Sequence, residues 1–180
     1  MSIWSCGGHP EQLLNGERFV YDLPGPIWIH VGRVAPERNI EQFLQLDLPG
    51  SKVIIGDGAD RARLQRIYPD CHFLGYKFGD DLRAHLSAAD VFVFPGRTDT
   101  FGLIVLEAIA GGLPIAALPL QSPLDLVRCG LTGVLDNDLQ RACLEALQLD
   151  RDTCRKRATD SSWQHSTEQL VATLGAAGRR

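Results

Sequence analysis

Short apolar runs alternate along this chain with segments in which apolar residues recur at helical spacing. The first run, from Pro26 to Val31, ends at Gly32, and a helical pattern follows from Glu37 to Leu46. The same order then repeats, which predicts an α/β fold with a doubly wound parallel sheet and helices on both faces. Further strands are predicted at 52–56, 72–74, 90–94 and 113–118, and further helices at 60–68, 80–89, 102–111, 123–128 and 138–147, with a turn at 130–133.

A glycine or a proline follows several of these predicted strands. Gly32, Gly56, Gly75 and Pro95 all fall where an apolar run ends. In a doubly wound sheet, ligands bind outside the carboxyl ends of the strands. We therefore expect the candidate site residues to converge on one edge of the sheet.

Length and periodicity fit one domain. The chain has 180 residues, within the ~100–200 that one domain usually takes. Residues 1–25 show no clear period and are predicted to be a linker or N-terminal extension, whereas 26–160 form the predicted domain. Residues 161–180 are predicted to be a C-terminal helix and tail, with a small-residue end that frays.

Charge, cysteine content and hydropathy exclude several classes. The formal net charge is −4, and the basic residues are scattered, so the sequence does not indicate nucleic-acid binding. The five cysteines are odd in number and lack C-x-x-C spacing, which predicts neither a disulfide framework nor a zinc site. Neither a signal peptide nor a run of ~20 apolar residues is present. We expect a soluble cytoplasmic protein without a transmembrane segment.

The most informative stretch runs from Asp99 to Ala110 and follows the apolar run that ends at Phe94. It predicts a strand, a polar loop and a helix. Glu107 lies among Leu, Ile, Val and Ala, where an unpaired charge costs desolvation energy, so we expect it to have a polar partner. The first helical turn, from Gly102, leaves backbone N–H groups that can receive an anion such as phosphate. An anion pocket beside carboxylates suggests a nucleotide-sugar ligand.

Asp99 and Glu107 enclose seven residues, and this spacing resembles the E-x7-E signature of retaining GT-B glycosyltransferases, in their C-terminal, donor-binding domain. Other fragments occur in the family's order between about residues 26 and 140. These are Gly32-Arg33 with Arg38-Asn39, Gly56-Asp57-Gly58, Phe73-Leu74-Gly75, Ala89 to Val93, Gly112-Leu113-Pro114 and Gly130 to Gly133. The resemblance implies a Rossmann-like half of a GT-B architecture that takes a nucleotide-diphospho-sugar as donor substrate, without a metal or other cofactor.

The resemblance implies that Arg33 and Arg38, beside Gly32, hold the donor diphosphate. Arg38 departs from the family's Lys and offers a planar fork in place of a point charge. It is predicted to lie in the first turn of a helix that starts at Pro36, where the helix dipole disfavours a cation and an anion should offset it. The alternative is that Arg38 pairs with Glu41 on its own helix face.

The two carboxylates have separate implied roles. Glu107 would accept hydrogen bonds from the ribose hydroxyls, and the alternative is that it reaches the surface or pairs with Arg33. Asp99 would contact the transferred sugar, although it is one methylene shorter than the family's Glu and could cap the helix together with Thr100. The other loop residues implied to bind the donor are Thr100, Phe101, Gly102 and Leu103. The segment 97–103 resembles bacterial α-mannosyltransferases and related lipid glycosyltransferases.

Three other patterns have two interpretations each. Tyr76 and Lys77 stand where the family contacts the nucleobase, yet Tyr76 could instead cover the sheet edge. Gly56-Asp57-Gly58 resembles a family turn, with Ala59 in place of Pro, or is a plain tight turn. The string Asp136-Asn137-Asp138 resembles a metal motif, but a turn followed by a helix N-cap explains it, and we predict no metal there. No catalytic role is predicted for His30, His72 or His85.

The resemblance implies that this chain is the donor-binding half of a retaining glycosyltransferase, and we expect it to be inactive without an acceptor-binding N-terminal domain. GDP-mannose is favoured over a UDP-sugar, with a lipid or glycan acceptor and, in the full enzyme, a peripheral position at the inner membrane. The alternative is a stand-alone nucleotide-sugar binding or regulatory module that acts with a partner protein. An epimerase or hydrolase is disfavoured, because no His or acid pair indicates a suitable base.

Overall fold

The computed structural model describes residues 20–96, 103–119 and 127–160. Within these residues, parallel strands form a sheet of order β3-β2-β1-β4-β5-β6. The strands are β1 (Ile27–Val31), β2 (Ser51–Ile55), β3 (His72–Gly75), β4 (Val91–Phe94), β5 (Ile115–Ala117) and β6 (Gly133–Leu135). The helices are α1 (Ile40–Leu44), α2 (Arg61–Ile67), α3 (Gly79–Ala88), α4 (Leu103–Ala110), α5 (Leu139–Ala146) and α6 (Arg151–Asp160). The predicted doubly wound parallel sheet is confirmed.

The central strand β1 explains why both faces carry helices. Its alternate residues enter two separate cores: Ile27 and Ile29 pack on one face, and Trp28 packs on the other. Trp28 and Ile29 are fully buried, and each large apolar side chain buried in this way stabilises the fold by about 1.5–3 kcal/mol. A strand that is buried on both faces has a continuous apolar sequence instead of an alternating one.

Strand β6 was not predicted, because the sequence analysis assigned Gly130 to Gly133 to a turn. The turn is real: the Leu131 and Thr132 amides both donate to the Arg128 carbonyl. Gly133, however, opens a strand that pairs with β5 in register with Ile115. This strand is only three residues long and starts with glycine, so it has too few side chains to show period two. The helix predicted at 123–128 falls mostly outside the described residues.

The segment after Val34 also differs from the prediction of one helix from Glu37. Pro36–Arg38 is a 3-10 helix, and Asn39 then adopts a left-handed conformation with φ 54° before α1 begins. Asn tolerates this conformation better than most residues. Its side-chain amide also donates to the Pro95 carbonyl at 3.2 Å. Arg38 therefore lies at the end of a short turn and not in the first turn of an α-helix, as the sequence analysis expected.

Arg151, in the first turn of α6, connects α6 to the ends of two other helices. Its guanidinium donates to the carbonyl oxygens of Ala89 at 2.8 Å, Ser87 at 2.9 Å and Gly112 at 3.2 Å. Ser87 belongs to α3 and Ala89 follows it, while Gly112 follows α4. A cation is favourable at helix C-termini, where carbonyl groups lack helical partners. Arg151 thus holds the C-terminal end of α4 in place, and the N-terminal end of α4 lies at the opposite side, at the carboxyl ends of the strands.

The cysteines should differ sharply in reactivity. Burial raises the pKa of the Cys143 thiol to about 12 and of the Cys154 thiol to about 11, whereas Cys129 is exposed. Because the thiolate is the reactive form, iodoacetamide at pH 8 should alkylate Cys129 and leave the other two unmodified in the folded protein. Peptide mass spectrometry before and after urea unfolding measures this. Equal native labelling of Cys129 and Cys143 would contradict the buried position of Cys143.

None of the described helices is both long and apolar enough to cross a membrane. The division of the chain into a linker at 1–25, a domain at 26–160 and a tail at 161–180 stays a prediction.

Candidate functional site

A cavity of about 160 Å³ opens at the carboxyl ends of the two central strands, β1 and β4. It also borders the N-terminal turn of α4, through Ile104. Its lining residues are His30, Val31, Gly32, Arg38, Phe94, Gly96 and Ile104. The structure therefore brings Gly32 and Arg38, from the predicted set, to the edge of the sheet at which a doubly wound fold binds ligands.

Arg38 is the predicted cation that reaches the cavity. Its backbone amide donates to the Ala35 carbonyl at 3.0 Å, and its side chain is half-buried. The alternative pairing with Glu41 is not what the structure shows, because the Glu41 carboxylate accepts from Arg63 at 2.7 Å and from Tyr68 at 3.2 Å. The hydrogen bond from Arg63 holds the pKa of Glu41 below its usual value. Glu41 is thus engaged with α2, and Arg38 faces the site.

Arg33 has a different environment. Its side chain is 60% exposed and forms an ion pair with the carboxylate of Glu37. A surface ion pair of this kind contributes only about 0–1 kcal/mol, so a bound anion could replace Glu37 at little cost.

His30 lies in the cavity wall, although no role for it was predicted. The ring is 3% exposed, and its Nδ1 is 3.0 Å from the Val93 carbonyl oxygen. A carbonyl oxygen only accepts, so this contact assigns a proton to Nδ1. A Cβ on Gly32 would lie 3.2 Å from Nε2, which places the second nitrogen at the Gly32 backbone. The signal in the sequence is one polar residue inside the apolar run of β1.

Glu107 occupies an exposed position on α4, between the buried residues Val105 and Ala108. Partial desolvation of the carboxylate raises its pKa above the ordinary value, and the positive charge of Arg83 acts in the opposite direction. The alternative pairing with Arg33 is not seen, because Arg33 is paired with Glu37. The exposure fits the alternative in which the side chain reaches the surface. It also leaves the carboxylate accessible to a ligand.

Four of the predicted loop residues lie outside the described residues: Asp99, Thr100, Phe101 and Gly102. Leu103 is the first residue of α4. The roles assigned to these five residues stay predictions.

The segment after β3 presents two aromatic rings to solvent. Tyr76 is 59% and Phe78 is 74% exposed, and the two rings stack at 5.9 Å with an interplanar angle of 20°. Lys77 lies between these two residues in the sequence, and its ammonium group forms an ion pair with the Asp81 carboxylate at 3.0 Å. The exposed face of Tyr76 leaves the ring accessible to a ligand, and both interpretations of this residue stay predictions. Phe78 was missed by the sequence analysis, although an aromatic residue two positions after Tyr76 was the available signal.

The turn Gly56-Asp57-Gly58 lies directly against the loop that carries Arg33. A Cβ on Gly56 would overlap the Gly32 carbonyl, and a Cβ on Gly58 would overlap the Val34 carbonyl. Gly56 has φ +131°, which L-residues with side chains rarely adopt. The turn therefore packs directly against the backbone of the Gly32–Val34 loop, and glycine at positions 56 and 58 is what permits this close contact.

Asp136 and Asp138 are explained by local structure, as predicted. The Asp138 carboxylate accepts from the Gln140 and Arg141 amides and so caps α5, while Asp136 accepts from the Asp138 amide at 2.8 Å and pairs with Arg141. Across the part of the chain that the structure describes, no group of three or more His, Cys, Asp or Glu side chains is placed to hold a metal ion.

Sequence comparison places this architecture among known proteins. Residues 25–149 match the family model described as glycosyl transferases group 1. A GDP-mannose-dependent alpha-mannosyltransferase of Mycobacterium tuberculosis is 42% identical over 112 residues, which cover 61% of this chain and 30% of that protein. A sulfoquinovosyl transferase of Arabidopsis thaliana is 31% identical over 164 residues, which cover 81% of this chain and 32% of that protein. The chain spans about a third of the length of these curated relatives.

Solved structures agree with the fold. A sucrose-phosphate synthase of Thermosynechococcus elongatus superimposes with a TM-score of 0.71 at 25% identity, covering 93% of this chain and 49% of that one. The pneumococcal O-GlcNAc transferase superimposes with a TM-score of 0.67 at 19% identity, covering 87% of this chain and 37% of that one. Both likenesses fit the expected half of a GT-B architecture. Since the family model spans most of the chain, the protein belongs to the group 1 glycosyl transferase family.

Proposed function

We propose that this chain binds the nucleotide-diphospho-sugar donor of a retaining glycosyltransferase. The observation that carries the proposal is the cavity in which Arg38 meets the N-terminal turn of α4. A cation and the unsatisfied N–H groups of a helix N-terminus together favour an anionic ligand such as a diphosphate. Placement at the carboxyl ends of the central strands supports the same ligand.

In this proposal, different residues bind the diphosphate, the ribose, the base and the sugar of the donor. Arg38 and Arg33 hold the diphosphate, and the arginine fork suits phosphate oxygens. Glu107 accepts hydrogen bonds from the ribose hydroxyls, and Tyr76 contacts the base. Asp99 contacts the transferred sugar, and Thr100 to Leu103 bind the donor, as the family resemblance implies.

GDP-mannose is the donor we favour. Two of the mycobacterial relatives are described as GDP-mannose-dependent alpha-mannosyltransferases, at 42% and 43% identity. A UDP-sugar is the second candidate. In the proposed reaction the leaving diphosphate gains negative charge, and Arg33, Arg38 and the α4 N-terminus stabilise that charge.

The acceptor site is proposed to lie on a separate N-terminal domain, since the chain spans about a third of its curated relatives. The isolated chain is then inactive, and its acceptor in the full enzyme is a lipid or glycan, reached from the cytoplasmic side of the membrane. The alternative, a stand-alone nucleotide-sugar binding module, predicts the same donor contacts. Mixing the chain with the N-terminal domain of a relative separates the two, because only a donor half gains transferase activity.

Calorimetric titration with GDP, UDP, GDP-mannose and UDP-glucose tests the proposal. One nucleotide should bind, and Arg38→Met should weaken that binding by about 10- to 100-fold, because each hydrogen bond to a charged group contributes roughly 1.5–3 kcal/mol. Arg66→Met, at an exposed position in the last turn of α2, is the matched control and should bind like the wild type. A folded wild-type chain that binds none of the four ligands would refute the donor site, and sugar transfer by the chain alone would refute its inactivity.

A further inference from the structure

We propose that Arg61 is a positioning residue that sets the distance between the diphosphate subsite and the base subsite. This inference rests on the proposed function and deepens it. Arg61 opens α2 and is not among the residues that line the cavity. Its effect on the ligand is therefore exerted through the two loops that it joins.

Arg61 contacts both loops with one guanidinium. One terminal nitrogen donates to the Asp57 carboxylate at 2.7 Å, and the other donates to the Phe73 carbonyl oxygen at 3.1 Å. The guanidinium also lies against Gly75, since a Cβ there would be 3.3 Å from the first nitrogen. Gly75 has φ +72° and immediately precedes Tyr76. The planar fork of Arg is suited to such a double contact.

Asp57 carries the connection onward to the diphosphate side. Its backbone carbonyl accepts from the Val34 amide at 2.9 Å and from the Tyr76 hydroxyl at 3.4 Å. Its carboxylate accepts from the Gly58 amide at 2.7 Å in addition to Arg61. One residue thus binds the loop after β1, the loop after β3 and the start of α2.

Two further contacts close this arrangement. The Gly56 amide donates to the Gly75 carbonyl at 2.7 Å, and the Asp60 amide donates to the Val34 carbonyl at 3.1 Å. The hydrogen bond from Gly58, and then that from Arg61, hold the pKa of the Asp57 carboxyl below its ordinary value. The Asp57 carboxyl is therefore ionised at neutral pH. Without Arg61, the loop that carries Tyr76 keeps its backbone pairing at Gly75 but loses the side chain that fixes its angle.

Arg63 supplies a matched comparison on the same helix. Its guanidinium also has two partners, and both are carboxylates: Asp60 and Glu41, at 2.7 Å each. Those partners connect α2 to α1 and not to the loop after β3. A loss of affinity that came only from a weakened α2 would appear with Arg63→Met as well as with Arg61→Met.

The test compares GDP with inorganic pyrophosphate, or UDP if that is the nucleotide bound. Arg61→Met should weaken nucleotide binding by about 10-fold, the scale of one misaligned base stack, and should leave pyrophosphate affinity within about twofold. Arg63→Met should change neither. Arg61→Lys keeps the charge next to Asp57 and should recover part of the nucleotide affinity.

Two results would overturn the positioning role alone: an equal loss of both ligands in Arg61→Met, or no loss of the nucleotide. A wild-type chain that binds neither ligand would overturn the proposed function and the positioning role together. Amide hydrogen exchange without ligand adds a separate readout, because the peptide that contains Gly75 and Tyr76 should exchange faster in Arg61→Met and not in Arg63→Met. Unchanged exchange in both variants would also contradict the positioning role.

Discussion

Replacing Glu107 with Gln is expected to weaken nucleotide binding by about 10- to 100-fold while making the folded chain more stable at neutral pH. An ionised carboxylate can accept from both ribose hydroxyls, whereas an amide offers one acceptor oxygen and a competing donor. A hydrogen bond to a charged group contributes about 1.5–3 kcal/mol, and the loss of one such bond gives the stated range. Calorimetric titration with the bound nucleotide measures the loss.

The stability gain follows from the direction of the pKa shift. Partial desolvation raises the pKa of Glu107 above its ordinary value of 4.5, so the folded chain holds this proton more tightly than the unfolded chain does. Below the ordinary pKa both states are protonated and the group contributes nothing. As the pH rises through the interval up to the raised pKa, the unfolded state ionises first and the stability of the folded state falls. Gln avoids that loss.

Urea unfolding at pH 7 and at pH 4 tests this reasoning. The variant should have the higher free energy of unfolding at pH 7, and the difference should shrink at pH 4. Glu145→Gln, at an exposed position on α5, is the control for nucleotide binding and should leave it unchanged. Wild-type affinity in Glu107→Gln would contradict the ribose contact, whatever the stability result.

Replacing Gly56 with Ala should destabilise the fold by about 4 kcal/mol, at the upper end of single-substitution effects. The added Cβ would overlap the Gly32 carbonyl oxygen, and φ +131° is unfavourable for alanine. The three nearest atoms all belong to the Gly32 backbone, so the overlap cannot be relieved by rotation of a side chain. The loop after β1 must move, and nucleotide affinity should fall together with stability.

The variant Gly130→Ala separates two causes of destabilisation: the unfavourable backbone conformation of alanine at a positive φ, and the steric overlap of an added Cβ. Gly130 also has a positive φ, +76°, but no atom lies within 4 Å of a Cβ there. We expect a cost of about 1–2 kcal/mol from conformation alone. Urea unfolding of both variants gives the comparison. If Gly56→Ala and Gly130→Ala were equally destabilising, the loop that contains Gly32 would be able to move away from the added Cβ at little cost in free energy.

The sheet was predictable because the strands that form its centre are apolar, with His30 as the one polar residue in β1 and β4. Val91 to Phe94 and Ile27 to His30 are buried, and strands buried on both faces give the clearest sequence signal in α/β proteins. Strand β6 gave no such signal, since three residues that begin with Gly133 cannot show a period. Its pairing with β5 depends on tertiary contacts that a local pattern does not contain.

The candidate site was predictable only in part. Gly32 and Arg38 reach the cavity as expected, because a glycine at a strand end and a nearby cation are local signals. The conformation of Asn39 was not predictable: the hydrogen bond from its side chain to Pro95 joins residues that are distant in the sequence. His30 and Phe78 each had a local signal, but the contact of His30 with Val93 and the stacking of Phe78 on Tyr76 become visible only when the chain is folded.

The strand order has a consequence for synthesis on the ribosome. β1 lies at the centre of the sheet, between β2 and β4, yet among the strands of the described residues it is the first to be synthesised. Its first neighbours, β2 and then β3, follow closely in the sequence, so the half of the sheet that contains the Gly56 turn and Arg61 can assemble while the rest of the domain is still being translated. During this time the backbone groups on the β4 side of β1 have no partner strand. We expect the nascent chain to need chaperone protection until Val91 to Phe94 leave the exit tunnel, because an exposed apolar strand edge promotes aggregation.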